Sequence, residues 1–126
     1  MAKLQGKPEQ PSMTSLRRIW DAFTFSLDGL RHILRSEAAF KQQVALGIVL
    51  IGLAFFLTAD TFERSLLIFP ILLSWVIEIL NTAIEAVADA VSAEFDANIK
   101  IAKDCGSLAV LVGFFIVVTV WAGVLL

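Results

Sequence analysis

Residues 74–89, SWVIEILNTAIEAVAD, decide how this chain is organised, because polar side chains interrupt an otherwise apolar segment at regular spacing. The interrupting residues are Glu78, Asn81, Glu85 and Asp89, at positions i, i+3, i+7 and i+11. On an α-helix these side chains and Ser74 lie within roughly an 80° sector. Insertion of one carboxylate into a membrane helix costs roughly 2.5–3.5 kcal/mol, so a stripe of them indicates cation binding or chemistry. The alternative is a set of buried packing groups, or of charges that reach the membrane interface.

The composition of the chain is that of a membrane protein. Hydrophobic residues make up 58% of its 126 residues and charged residues only 17%, with a mean hydropathy of +0.81. The motifs of soluble nucleotide enzymes, redox proteins and zinc proteases (GxxxxGK[ST], GxGxxG, CxxC and HExxH) are absent from the sequence. We expect no nucleic-acid partner.

The apolar pattern predicts an all-α membrane protein with one disordered leader and one membrane domain. The leader is residues 1–12, and the domain is residues 13–126. Apolar residues recur at three- and four-residue spacing over about 14–35, which is typical of an amphipathic surface helix. Three transmembrane helices follow, at about 38–58, 65–90 and 101–126. Polar connections at 59–64 and 91–100 separate them.

The basic residues predict the orientation of the chain in the membrane. Seven of the ten lysines and arginines precede Val44, and Lys100 and Lys103 flank the end of the second connection. The positive-inside rule therefore places the N-terminus and residues 91–100 in the cytoplasm. The C-terminus would then lie on the opposite side of the membrane.

This orientation gathers carboxylates and a lysine at the cytoplasmic edge of the bilayer. Glu37, Glu85 and Lys103 would lie near the water, and Glu78 about 10 Å deeper, two helical turns along. Such a set contains the chemical groups that metal-assisted phosphoryl transfer requires. One or two carboxylates hold magnesium with the substrate phosphates, a lysine offsets phosphate charge, and a further carboxylate takes the proton of an attacking hydroxyl.

Three segments carry a resemblance to a known family. EILNTAIEAVAD, with SEAAFKQQ before it and AKDCGSLAV after it, resembles the small prokaryotic diacylglycerol kinases, whose family includes the undecaprenol kinases of Gram-positive bacteria. The similarity extends from about Arg18 to Trp121. Its ExxNxxxE motif and the downstream AKD are specific to the family.

The resemblance implies a homotrimeric helical bundle of three-span subunits, each with an N-terminal amphipathic surface helix, in the bacterial inner membrane. It implies transfer of the γ-phosphoryl group from MgATP to the hydroxyl of diacylglycerol, which gives phosphatidic acid. Glu78 would be the catalytic base, Asn81 would position the reacting groups, and Mg²⁺ would be held by Glu37 and Glu85.

The resemblance also implies two sets of substrate contacts. Residues that would bind ATP are Arg18, Glu37, Glu85, Glu94, Asp96, Lys103 and Asp104. Residues that would bind the lipid are Arg18, Arg31, Ala39, Phe40, Lys41, Gln42, Gln43, Glu78, Ser107 and Trp121. Four residues depart from the pattern of the best-known relatives: Phe25 stands for Tyr, Asp28 for a basic residue, Gln43 for Glu and Asp96 for His.

Two alternatives stay open at this point. The lipid alcohol could be undecaprenol, although SEAAFKQQ is more similar to the Gram-negative diacylglycerol kinases. The chain could also form a small oligomeric ion or proton carrier. A carrier needs polar groups along the whole path, whereas the stripe ends partway through the second span. Because three spans cannot surround the stripe on every side, the sequence also predicts self-association.

Overall fold

The computed structural model describes residues 15–91, 94 and 96–126, and all the regular secondary structure within them is α-helical. The helices are α1 (Ser15–Ser36), α2 (Ala38–Leu57), α3 (Thr61–Val91) and α4 (Ala97–Leu125). Among the described residues, α2, α3 and α4 are long and apolar enough to cross a membrane. The predicted all-α class with three spans is therefore confirmed. The predicted leader, residues 1–12, lies outside the described residues.

Helix α1 belongs to a compact unit of its own, Met1–Ser36, and is described by itself. Most of its apolar side chains are exposed, and Leu16, Ile19, Trp20 and Phe23 are each more than half accessible, whereas Ile33 is buried. The rings of Trp20 and Phe23 lie 6.3 Å apart on this face. An exposed apolar face opposite charged residues suits a helix that lies in a membrane interface. The interfacial position itself stays a prediction.

The second unit, Glu37–Leu126, consists of α2, α3 and α4, and α3 packs against both of the others. Helix α3 runs antiparallel to its neighbours. Its buried face includes Leu67, Pro70 and Ile71, which are apolar, followed by three polar residues, Ser74, Glu78 and Asn81. Of the predicted polar stripe, Ser74, Glu78 and Asn81 are therefore part of the helix-packing face, whereas Glu85 is half-buried and Asp89 is exposed.

Small residues allow the helices to approach closely. A Cβ atom at Gly47 of α2 would lie 2.5 Å from Cζ2 of Trp75 and 2.9 Å from Cγ2 of Ile71. A Cβ atom at Gly113 of α4 would lie 3.1 Å from Cδ1 of Ile77. Glycine at such positions is typical of helix packing in membranes, because it brings backbones within van der Waals contact.

Two helices begin four residues before the predicted spans, because side chains in the connections cap them. Asp60 Oδ1 accepts a 2.8 Å hydrogen bond from the backbone N–H of Glu63, so α3 begins at Thr61 rather than 65. Asp96 Oδ1 accepts bonds from the N–H groups of Asn98 (2.8 Å) and Ile99 (3.3 Å), and α4 begins at Ala97. The connections are thus shorter than predicted.

The three long helices leave most of their apolar surface uncovered. Each of these helices contains an apolar segment that could span a membrane. In α3, 33% of that segment is buried within the protein, and in α4 only 6%. Among the described residues of α4, only Gly106 and Gly113 are buried. The exposed faces are apolar enough to contact lipid or further helices.

Candidate functional site

Glu78 is a buried carboxylate at the contact between α2 and α3. It is 7% exposed, and its Oε2 atom accepts a 2.9 Å hydrogen bond from Nε2 of Gln43 on α2. Trp75, one turn earlier on α3, donates its indole N–H to the backbone carbonyl of Gln43 at 3.3 Å. Two contacts thus fix the first turns of α2 against α3 at the level of Glu78.

Asn81 lies one turn further along α3 and faces α4. Its side chain is 8% exposed, and Oδ1 is buried without a hydrogen-bond partner. The same oxygen lies so close to Gly106 of α4 that a Cβ atom at that position would collide with it. The close approach of the two helices therefore fixes the position of the Asn81 side chain.

Unsatisfied buried polar atoms cluster around this part of α3. Among the described residues these atoms are Gln43 Oε1, Asn81 Oδ1, Thr82 Oγ1 and, away from this region, Arg64 Nε. A buried polar atom without a partner costs about 1–3 kcal/mol, and protein folds rarely leave several together. Gln43 Oε1, Asn81 Oδ1 and Thr82 Oγ1 therefore have hydrogen-bonding capacity that this chain alone does not use.

The acidic end of α3 faces the beginning of α4. Glu85 is half-buried, and Asp89 is exposed and accepts a 2.6 Å hydrogen bond from the Lys103 ammonium group. The structure therefore places Lys103 against the acidic end of α3, with Asp89 as its direct partner. The predicted shared role of Glu85 and Lys103 stays a prediction.

Glu37 is the residue immediately before α2, where its backbone is extended and its carbonyl accepts a 3.3 Å bond from the N–H of Lys41. Its side chain is half-buried and makes no capping bond. Within residues 15–91, 94 and 96–126, no three His, Cys, Asp or Glu side chains lie close enough together to hold a metal ion. Glu37 and Glu85 can thus provide at most part of a coordination shell, as is usual for magnesium bound with substrate phosphates.

The remaining predicted nucleotide residues lie at the start of α4 or before it. Asp96 caps the helix. Asp104 forms a 2.5 Å ion pair with Lys100, and the side chains of this pair are exposed. Glu94 is also exposed. These carboxylates therefore lie near Lys103 in sequence. Their binding of ATP stays a prediction.

The predicted lipid contacts are distributed over several elements. Residues on the first turns of α2 are Ala39, Phe40, Lys41, Gln42 and Gln43, of which Phe40 is buried and Gln43 half-buried. Ser107 is exposed on α4. Arg18 and Arg31 belong to the separate unit of α1, where Arg31 lies 3.5 Å from Asp28. Of this set, the structure joins only Gln43 directly to Glu78.

Trp121 lies far from the carboxylates. Its indole N–H donates a 3.0 Å hydrogen bond to the backbone carbonyl of Leu67 and so joins α4 to the first part of α3. Leu67 precedes Glu78 by eleven residues, or roughly 16 Å along the helix axis. The observed contact of Trp121 is thus a packing contact, and its predicted contact with lipid is not tested by this geometry.

Gly106 lies against the predicted site residue Asn81, and Thr82 follows it in α3, although the sequence indicated neither. A glycine inside a helix costs about 1 kcal/mol relative to alanine, so its presence signals a close approach. Gly106 lies three residues after Lys103, within the segment AKDCGSLAV, and that signal could have been used. Thr82 carries no comparable signal.

Comparison with known proteins gives a consistent result. The family model described as prokaryotic diacylglycerol kinase matches residues 24–125. A "Diacylglycerol kinase" of Pseudomonas aeruginosa is 45% identical over 113 residues, which cover 90% of this chain and 92% of that protein. A protein with the same name in Helicobacter pylori J99 is 40% identical, over 92% of this chain and 91% of that protein. Another in Escherichia coli K12 is 39% identical, over 86% of this chain and 88% of that protein.

Proposed function

The chain belongs to the prokaryotic diacylglycerol kinase family, and from that premise we propose how its residues carry out the reaction. It is a membrane-embedded diacylglycerol kinase. The observation that supports our proposal is the gradient of exposure along α3: Glu78 and Asn81 are buried, Glu85 is half-buried and Asp89 is exposed. Such a gradient matches a reaction that joins a lipid hydroxyl to a water-soluble nucleotide.

Glu78 is the proposed proton acceptor. The hydroxyl oxygen of diacylglycerol forms a bond to the γ-phosphorus of ATP while the bond from that phosphorus to the β–γ bridging oxygen breaks. The hydroxyl proton passes to the Glu78 carboxylate, and ADP leaves with the electron pair of the broken bond. A carboxylate within hydrogen-bond reach of the hydroxyl typically accelerates such a transfer about 10²- to 10⁴-fold.

Asn81 is proposed to orient the reacting groups. Its side-chain position is fixed by the contact with Gly106, and its Oδ1 atom is an acceptor that no described residue satisfies. A fixed amide one turn from the base can hold a donor of the bound substrates at a constant distance from Glu78. Correct placement of reacting groups contributes a large share of the rate of phosphoryl transfer.

Glu37 and Glu85 are proposed to hold Mg²⁺ together with the ATP phosphates. Bound magnesium offsets the negative charge of the phosphates. Lys103 is proposed to contact the nucleotide from α4, with Arg18, Glu94, Asp96 and Asp104 as further nucleotide contacts. The contact of Lys103 with Asp89 supports this proposal, because it holds the ammonium group at the same end of α3 as Glu85.

The lipid is proposed to reach Glu78 along the first turns of α2. Gln43 supports this route because it contacts both Glu78 and an apolar cavity of about 330 Å³ between α2, α3 and α4. The other proposed lipid contacts are Arg18, Arg31, Ala39, Phe40, Lys41, Gln42, Ser107 and Trp121.

We further propose that the protein is a homotrimer in the bacterial inner membrane, with the N-terminus and residues 91–100 cytoplasmic and the C-terminus periplasmic. The distribution of basic residues supports this orientation. The uncovered apolar surface of α4 supports self-association. An active, detergent-solubilised monomer would contradict the trimer.

The experiment uses purified full-length protein in mixed micelles with radiolabelled ATP and magnesium, and with diacylglycerol or undecaprenol in separate tubes. We expect labelled phosphatidic acid in the first tube and none when the metal is chelated. Label found only in the undecaprenol tube would overturn the lipid assignment. Undiminished labelling in the presence of chelator would overturn the magnesium assignment.

A further inference from the structure

Helix α1 carries two arginines that the proposed kinase reaction does not use, Arg17 and Arg35. We infer that these side chains form a docking surface for anionic phospholipids, the net negatively charged lipids of the leaflet on which α1 lies. The surface is separate from the site that binds the lipid substrate. The inference rests on the interfacial position of α1 and does not depend on the roles proposed for Glu78 and Glu85.

The first argument is the placement of the two arginines on the helix. Arg17 and Arg35 are eighteen residues apart, which is about five helical turns, so they lie on the same side of α1, roughly 27 Å from each other. This side borders the exposed apolar face of the helix. When an apolar face is sunk into the membrane interface, long basic side chains at its border extend towards the lipid phosphates.

The second argument is that the charge of these arginines is not compensated within the protein. Both are exposed, and among the described residues neither has a carboxylate within ion-pair distance. Arg31 differs, because it lies 3.5 Å from Asp28. With four arginines against two aspartates, α1 has a net charge of +2, whereas the whole chain has a net charge of −2. Positive charge is thus concentrated on the helix that faces the lipid headgroups.

The third argument is an open polar cleft of about 600 Å³ around Arg35. Its lining residues are Asp28, Arg31, His32, Arg35 and Ser36. The Ser36 hydroxyl donates to the His32 carbonyl at 2.9 Å, and Arg31 is beside Asp28, so the Arg35 guanidinium is the cationic group of the cleft that has no partner among the described residues. A guanidinium binds phosphate oxygens through two parallel hydrogen bonds.

The chemistry of the surface selects an anionic phospholipid as its partner. A soluble phosphate would pair with the arginines but leave the adjoining apolar face in water. A zwitterionic phospholipid would cover the apolar face but bring its own positive charge towards the arginines. A lipid with two acyl chains and a net negative headgroup, such as phosphatidylglycerol, complements both parts of the surface.

The test is photo-crosslinking of the full-length protein in vesicles made of equal parts phosphatidylcholine and phosphatidylglycerol. One of the two lipids carries a diazirine in its acyl chain, and mass spectrometry of chymotryptic peptides compares lipid adducts on α1 with those on the apolar end of α4. We expect the ratio of phosphatidylglycerol to phosphatidylcholine adducts to be about fivefold higher on α1 than on α4, because each arginine near an anionic surface favours association by about that factor. Salt at about 1 M should remove most of this excess. Equal ratios on the two helices would overturn the inference.

Substitutions then assign the excess to the two arginines. Arg35→Gln should lower the adduct ratio on α1, and the double variant Arg17→Gln/Arg35→Gln should bring it to the value on α4. Lys100→Gln is the matched control for Arg35→Gln, because it also removes an exposed positive charge, but one that Asp104 already compensates. It should leave the ratio on α1 unchanged. An excess that survives the double variant, or that falls equally in Lys100→Gln, would overturn the inference.

Activity separates this surface from the kinase site. In mixed micelles without anionic detergent or phospholipid, the double variant should keep kcat within about twofold of wild type, since exposed substitutions away from the site have small effects. A large loss of kcat there would place the arginines in the reaction and overturn a separate docking surface. Glu78→Gln should leave the adduct ratio on α1 unchanged, so failure of the proposed base and failure of this inference are distinguishable.

Discussion

The two halves of α3 differ in how their polar groups are satisfied. In the first half, residues 67–74, Ser74 Oγ donates to the Ile71 carbonyl at 2.6 Å, and Trp121 donates to the Leu67 carbonyl. In the second half, residues 78–89, Asn81 Oδ1 and Thr82 Oγ1 are buried without partners, as is Oε1 of the neighbouring Gln43. Within residues 67–89, α3 thus contains a packing surface whose polar groups are paired and a later segment with unpaired buried acceptors. Arg64 Nε, in the first turn of the helix, is a further buried atom without a partner.

This difference separates stability from function within one continuous helix. Buried polar groups whose hydrogen bonds are all made within the protein stabilise the fold and have no free donor or acceptor for a ligand. Unsatisfied buried acceptors destabilise the empty protein, so they persist where a bound molecule satisfies them. We therefore expect substitutions beside the second half to affect catalysis, and matched substitutions beside the first half to affect stability alone.

The largest expected effect among the neighbouring helices is that of Gly106→Ala on α4. The added methyl group would collide with Asn81, so we expect kcat to fall about 10- to 100-fold through misplacement. Gly113→Ala is the matched control, because its methyl would meet the flexible end of Ile77 at 3.1 Å. It should lower Tm and leave kcat within about twofold. Equal kcat losses in both variants would remove the distinction between the two halves.

A smaller effect is expected from Glu85→Ala, which removes a proposed magnesium ligand but not the base. The apparent KM values for magnesium and ATP should rise by about tenfold, since loss of one carboxylate weakens the site but leaves the phosphates and water as ligands. Glu63→Ala, at the other end of α3, is the control. Glu63 is exposed, and its Oε2 atom accepts a 2.7 Å bond from Thr58. Unchanged metal dependence of Glu85→Ala would remove Glu85 from the metal site.

The smallest effect is expected from Asp89→Asn, because its ion pair with Lys103 is exposed to solvent. An ion pair this exposed to solvent contributes little to stability, so Tm should change little. Weakening the pair makes Lys103 more available to phosphate, and we expect the KM for ATP to fall by at most about fivefold. Kinetic titration of ATP at saturating lipid gives this value. A tenfold rise in KM would show that Asp89 itself supports nucleotide binding.

The sequence was sufficient to predict which face of α3 carries the polar residues that pack against the neighbouring helices. The spacing of Ser74, Glu78 and Asn81 placed them on one face, and all three are buried against the neighbouring helices. The three spans were predictable because their apolar runs are long. Helix ends were less predictable: Asp60 and Asp96 extend helices into segments whose polarity alone suggested connections.

Contacts between helices could not be predicted in the same way. The pairing of Lys103 with Asp89, of Gln43 with Glu78 and of Gly106 with Asn81 depends on how far each helix slides along its neighbour. Periodicity fixes the face of a helix but not this register. The register follows from the fit of side chains such as Trp75 against Gly47, which becomes visible only in three dimensions.

The central claim is that the second half of α3 carries the chemistry through Glu78, and one measurement tests it most directly. Turnover of Glu78→Gln should be compared with that of Ser74→Ala, a buried polar residue one turn away whose hydroxyl bonds to its own helix. We predict that kcat of Glu78→Gln falls about 10²- to 10⁴-fold while ATP binding and oligomer size are unchanged. Ser74→Ala should stay within about twofold of wild type. A Glu78→Gln enzyme that keeps more than about a tenth of wild-type kcat would contradict the account.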